Sequence, residues 1–272
     1  MPTFCRDGLN FRYRDIGQGL PVVFQHGLGG DVSIPCGLFS PPEGGRLISC
    51  DSRYHGETRP LGDPAKLNFD DIADDLLALL DHLGIDRVVV GGISMGAGLA
   101  LNFAIRHPER TSGLILSRPA WLEEPFPENV RMFPIMAEFI RRLGWRDGLS
   151  AFKQSPTYAG VLRESSDSAT ALVGMFENPR AEETVEKLDR IPQCCPSPDR
   201  DAWRSIAVPT LILANQQDPI HPYAMGQTLA ETIPGAELRE LTPKCVDIVQ
   251  HGADVQRHMT DFLLRHFLSG PA

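Results

Sequence analysis

Arg87-Val88-Val89-Val90-Gly91-Gly92-Ile93-Ser94-Met95-Gly96-Ala97-Gly98, continued by Leu99 to His107, decides the fold of this chain. The β-branched run before the glycines reads as a buried strand, because parallel strands covered on both faces are almost continuously apolar. The segment AGLALNFAIRHP is rich in Ala and Leu and stops at Pro108, as a helix does. Between them stands G-x-S-x-G, and strand, sharp turn, helix is the context that makes this pattern a nucleophile elbow. The turn strains the serine backbone and tolerates only small residues two before and two after it. Gly92 and Gly96 meet that need. Ser94 is therefore the candidate nucleophile, seated at a helix N-terminus where amide N–H groups favour developing negative charge. The competing reading of the same residues is a glycine-rich turn whose serine only caps the helix.

The rest of the chain sets outer bounds. Its 272 residues suit one large α/β domain with an inserted lobe. The net charge of −9 argues against a nucleic-acid or anionic-membrane partner, either of which wants a basic face. A small-molecule substrate is the expected partner, and the composition does not decide between a monomer and a homo-oligomer. No apolar run is long enough to span a bilayer. The stretch MPTFCRDGLNFRYRD carries charges where a signal peptide has its apolar core, so a cytoplasmic protein is expected. The six cysteines, Cys5, Cys36, Cys50, Cys194, Cys195 and Cys245, form no C-x-x-C pair and no zinc-ligand spacing. They are expected to stay reduced, and no metal site is expected.

Taken in order, residues 3–15 and the following Gly17-Gln18-Gly19 read as an edge hairpin. Leu20 to Phe24 is a short buried strand that runs into Gln25-His26-Gly27-Leu28-Gly29-Gly30. Ligands gather at such strand ends in a parallel sheet. The Leu28 and Met95 N–H groups are thus the candidate pair of oxyanion donors. A strand over 45–51 leads to Arg53 and His55, read as braces for the loop. Residues 68–84 form a helix whose stripe is Ile72, Leu76, Leu79, Leu80 and Leu83, and whose aspartates read as a solvated face. After a strand over 111–117 the alternation stops. Residues 119–206 hold only helical patches, an insertion expected to lie over the strand ends. Most of its apolar residues read as its own core; Trp121, Phe133 and Met136, with His26 from the sheet, are the candidate substrate contacts. Strands and helices resume at 208, and the last helix is expected over about 254–267. The expected architecture is a mostly parallel, doubly wound sheet built from residues 1–118 and 207–272, with 119–206 inserted.

These motifs resemble the α/β-hydrolases of the esterase, lactonase and haloperoxidase-like group. The matching stretches are His26-Gly27, DSRYHGET from Asp51, GISMG around Ser94 and NQQDPIHP around Asp218. The resemblance implies that the insertion is a helical cap, that no cofactor is used, and that the acid is Asp218. It makes a dehalogenase or epoxide hydrolase unsuitable, since those relatives carry aspartate in place of Ser94. It also implies a Gly-His pair soon after the last strand, where this chain instead reads Leu241-Thr242-Pro243-Lys244-Cys245-Val246-Asp247. The position matching the histidine falls near Cys245.

A serine hydroxyl needs an imidazole to take its proton and a carboxylate to hold the imidazole tautomer. His251, six residues beyond Cys245, is the expected base, provided the loop from Thr242 folds back. His221 lies too close to Asp218 along the chain to be the first choice; His258 falls inside the helix. Two functions stay open. One is a serine hydrolase acting on an ester, thioester or lactone through an acyl-enzyme, with acyltransferase or perhydrolase activity using the same residues. The other is a hydrolase-fold sensor or binding protein with impaired catalysis.

Overall fold

The computed structural model describes residues 1–268. Eight strands form one sheet: β1 (Thr3–Arg6), β2 (Leu9–Gly17), β3 (Leu20–Gln25), β4 (Gly45–Cys50), β5 (Val88–Ile93), β6 (Thr111–Ser117), β7 (Thr210–Ala214) and β8 (Glu237–Glu240). Their order across the sheet is β1-β2-β4-β3-β5-β6-β7-β8. β2 runs antiparallel to both of its neighbours, and every pair from β4 to β8 is parallel. The helices are α1 (Ser33–Leu38), α2 (Phe69–His82), α3 (Met95–Arg106), α4 (Met132–Phe152), α5 (Pro156–Glu164), α6 (Ser166–Phe176), α7 (Glu186–Arg190), α8 (Arg200–Arg204), α9 (Tyr223–Thr232) and α10 (Ile248–Leu263).

The period of two along each strand sorts side chains to opposite faces of the sheet. Val88 and Val90 of β5, with Leu114 and Leu116 of β6, pack on one face with Leu76, Leu79 and Leu80 of α2. Val89 and Ile115 pack on the other face with Val255, Met259 and Phe262 of α10. A sheet covered on both sides explains why the strands read as unbroken apolar runs. From β3 the chain steps to β4 on one side and then crosses back to β5 on the other. The crevice at such a reversal, outside the carboxyl ends of the strands, is where an open α/β sheet binds ligands. Here it lies between the end of β3, at His26-Gly27-Leu28, and the end of β5, at Ser94.

Between β6 and β7 the described chain holds α4 to α8 and no strand. α4 is bent at Gly144, whose φ of 73° and ψ of 172° are not helical.

Two expectations need correction. The last helix begins at Ile248, not near 254, because the Asp247 side chain caps it by accepting from the Val249 and Gln250 N–H groups, 2.9 Å each. The α2 aspartates are not all a solvated face: Asp75 is buried and accepts from Arg53 Nε and from Arg53 Nη2 (2.7 Å). The apolar stripe of α2 is wide enough to carry Asp75 inward beside Leu76 and Leu79, and Arg53 meets it there.

Candidate active site

Ser94 joins β5 to α3 with φ 58° and ψ −112°, left-handed backbone that a non-glycine residue adopts only under constraint. The constraint is close packing. A Cβ on Gly92 would sit 2.5 Å from the Gly96 carbonyl carbon, and a Cβ on Gly96 would sit 2.4 Å from Gln25 O. Only glycine allows the strand end and the first turn of α3 to approach so near. The Ser94 N–H donates to Ser117 O at 2.9 Å, tying the turn to β6. The hydroxyl makes no capping hydrogen bond to α3. It is therefore not spent as the helix cap that the sequence left open.

The loop after β3 lies against this serine: a Cβ on Gly27 would be 3.3 Å from Ser94 Cβ and 3.8 Å from Oγ. Among the described residues, neither the Leu28 nor the Met95 N–H meets an intramolecular acceptor. His55 holds the Leu28 carbonyl through Nε2 at 2.9 Å. His26 is placed differently from the expectation. It is fully buried, accepts from the Ser52 N–H at 3.1 Å through Nε2 and donates through Nδ1 to Gly27 O at 2.8 Å. One accepting and one donating nitrogen require the neutral ring, and burial lowers its pKa accordingly. His26 shapes the loop and does not line the cavity beside Ser94.

Asp218 is buried in the turn after β7. Its Oδ1 accepts the N–H groups of Ile220 (3.2 Å) and His221 (3.1 Å), which folds the chain back on the carboxylate. The His221 ring then sits on the same group, with Nδ1 2.9 Å from Oδ2. Arg118, immediately after β6, donates to Oδ2 through Nε (3.0 Å) and Nη2 (2.5 Å). Burial pushes the Asp218 carboxyl up, but His221 and Arg118 outweigh it and hold the group well below the usual carboxylate range. For His221, burial pushes the pKa down and Asp218 pulls it up. The downward direction prevails because burial is the largest influence and Arg118, a neighbouring positive charge, adds to it.

The structure does not bring His251 to Asp218. His251 lies in the first turn of α10 and donates through Nδ1 to Thr242 O at 2.8 Å. Burial pushes its pKa down to about 4. It faces a second cavity of about 310 Å³ together with Arg118 and Lys244. The cavity that contains Ser94, about 330 Å³, is lined also by Leu28, Arg118, Phe133, His221 and Lys244. Of the candidate substrate contacts, Phe133 lines this cavity. Trp121 and Met136 do not: both are buried in the apolar core, with the Trp121 ring packed edge-on against Phe69 at 5.8 Å. From α6, Leu172 and Met175 complete the wall instead.

Three residues of this site were not chosen from the sequence. The short separation from Asp218 argues against His221 in the sequence, and nothing there singles out Arg118 or Lys244. The available signal was a charged residue at the carboxyl end of an apolar strand, in Leu116-Ser117-Arg118, and another in the loop after β8.

Residues 21–251 match the family described as alpha/beta hydrolase fold. A non-heme chloroperoxidase of Kitasatospora aureofaciens is 28% identical over 95% of this chain and 96% of its own length. A 3-oxoadipate enol-lactonase of Acinetobacter baylyi is 24% identical over 97% of each. Among solved structures, the enol-lactonase from Burkholderia xenovorans LB400 superposes with a TM-score of 0.74 at 22% identity, covering 96% of this chain and 99% of that one, and so shares the fold. With the match spanning most of the chain and the strained serine at the end of its central strand, this protein belongs to the alpha/beta hydrolase fold family.

Proposed function

We propose that the protein is a serine hydrolase that cleaves an ester, thioester or lactone of a small, partly apolar molecule through an acyl-enzyme. The observation that carries this reading is that Ser94, on its strained turn, and His221, held by Asp218, line one cavity. In the reaction, His221 Nε2 takes the Ser94 Oγ proton as oxygen attacks the carbonyl carbon. Asp218 keeps the proton on Nδ1 and stabilises the imidazolium that forms. The Leu28 and Met95 N–H groups receive the oxyanion. Collapse of the tetrahedral species expels the alcohol or thiol, which takes the proton from His221. Water then repeats the sequence on the acyl-enzyme and frees Ser94. The helices between β6 and β7 act as a cap, a reading supported by Phe133, Leu172 and Met175, which line the cavity together with Ser94.

A second reading, a binding protein with impaired catalysis, is favoured by one observation. Ser94 Oγ makes no hydrogen bond to either histidine in the described chain. Catalytic hydrogen bonds are often long before substrate binds, so this geometry does not outweigh the assembled site. Labelling with a fluorophosphonate followed by peptide mapping separates the two. An adduct on Ser94 is expected, and Ser94→Ala should lower turnover by about a million-fold. A folded protein that takes no label and shows the same esterase activity with and without Ser94 would overturn the hydrolase.

A further inference from the structure

Lys244 lines both the cavity of Ser94 and the adjoining cavity of His251, and Arg118 lines both with it. The charges there do not balance. Asp218 is committed to Arg118 and His221 by short hydrogen bonds. The partly buried ammonium of Lys244 has no ion pair or hydrogen bond among the described residues. Asp167 and Asp218 act on it only from a distance, while Arg118 repels it. Burial and that repulsion both push its pKa down from the ordinary lysine range. With Arg118 neutralised by Asp218, the shared wall of the two cavities carries one uncompensated positive charge. Its other members there are Ile34 and Ile93, which offer it no acceptor. A cation withdrawn from water without a partner is costly, and an incoming anion relieves that cost by a charge-assisted hydrogen bond.

We propose that Lys244, backed by Arg118, is a carboxylate-binding subsite, so that the molecule hydrolysed at Ser94 carries a free carboxylate beside its ester or lactone bond. This rests on the serine-hydrolase reading above. One net charge on the wall matches a monoanion, and the apolar wall formed by Phe133, Leu172 and Met175 receives the rest of the acyl chain. The subsite fixes the substrate class as a short amphipathic acid, not a neutral ester.

The test compares p-nitrophenyl butyrate with mono-p-nitrophenyl succinate, acyl groups of equal length that differ in a terminal carboxylate. The wild-type protein should favour the succinate in kcat/KM by about 10–100-fold, the worth of a hydrogen bond to a charged group, and mainly through KM. Lys244→Met should bring that ratio to about one, and Lys244→Arg should keep it. Equal kcat/KM for both esters in the wild type overturns the proposal. So does a Lys244→Arg protein that loses kcat on both esters, because the lysine would then be moving a proton. Calorimetric titration of the Ser94→Ala protein with monomethyl succinate and dimethyl succinate reads the subsite without turnover. The acid should bind about 10-fold tighter or better; equal affinities reject the subsite even if Ser94 is labelled. Tighter binding of the acid with no labelling leaves the subsite standing and removes the hydrolase.

Discussion

His221 reaches back three residues to set its Nδ1 2.9 Å from Asp218 Oδ2, inside a turn whose own N–H groups are held by the other carboxylate oxygen. A short sequence separation therefore brings the two groups together where it had looked like a reason to pass over His221. The pair predicts a sharp contrast between histidines. His221→Ala should lower kcat by about 10²–10⁴-fold, the usual worth of a positioned base, and Asp218→Asn by about 10⁴-fold through loss of the tautomer. His251→Ala should leave kcat within a few-fold, since its ring is bonded to Thr242 O. Steady-state kinetics on the three variants decides the matter, and a His251→Ala protein as impaired as His221→Ala would return the base to α10.

The acid limb of the pH profile follows from the His221 environment. The imidazole must be neutral to accept the serine proton, and burial with the Arg118 charge lowers its pKa from the ordinary 6.5. A base with a depressed pKa stays competent as pH falls through 6.5 and is lost only below it. The plot of kcat/KM against pH should thus run flat through that value and turn down on its acid side. A turning point at or above 6.5 contradicts the assignment.

What was legible in the sequence was local and what was missed was assembled. The elbow could be read because Arg87 to Gly98 carries its strand, turn and helix signals in twelve consecutive residues. The α/β alternation could be read because the central strands are unbroken apolar runs and each helix repeats its stripe. Residues whose role depends on a neighbour far along the chain could not. Arg118 matters because Asp218, a hundred positions later, folds onto it. Lys244 enters the proposed subsite because no described residue pairs with it. Trp121 and Met136 looked like pocket residues by type, but apolar side chains in an insertion must first build its core, and packing claimed both. The start of the last helix was not legible because the capping role of Asp247 is set by its contacts; the helix begins six residues before the expected 254 and carries His251, whose ring is bonded to Thr242 O.

Arg53 and Asp75 give a stability prediction independent of catalysis. Both are buried, and among the described residues Asp7 is the only other carboxylate that Arg53 hydrogen-bonds. Removing Asp75 leaves the buried guanidinium with only the exposed Asp7 as its carboxylate partner among the described residues. Asp75→Ala should cost about 3–5 kcal/mol, whereas an Arg53→Met, Asp75→Leu double variant should recover most of it. Denaturant unfolding measures both. If the single variant unfolds at the wild-type midpoint, the pair contributes nothing to the fold.

Gly96→Ala tests how the elbow is built. The added Cβ would meet Gln25 O at 2.4 Å, the Gln25 carbonyl carbon at 2.7 Å and His26 O at 2.8 Å, all backbone atoms with no rotamer to escape into. The only relief is to push the first turn of α3 away from the end of β3. That motion separates Ser94 and the Met95 N–H from the Leu28 N–H, which follows directly on the displaced strand end. Overpacking of this kind costs about 1–3 kcal/mol, and a shift of about 1 Å at the reacting atoms costs about 10²-fold in rate. The variant should therefore lose kcat far more than it raises KM, and lose some stability as well. Gly160→Ala is the matched control, since a Cβ there meets nothing within 4 Å on α5. Alanine in that helix should stabilise by about 0.4–1 kcal/mol and leave kinetics alone. A Gly96→Ala protein with wild-type kcat and wild-type melting temperature would mean that the close approach of α3 to β3 is not what sets the geometry of Ser94.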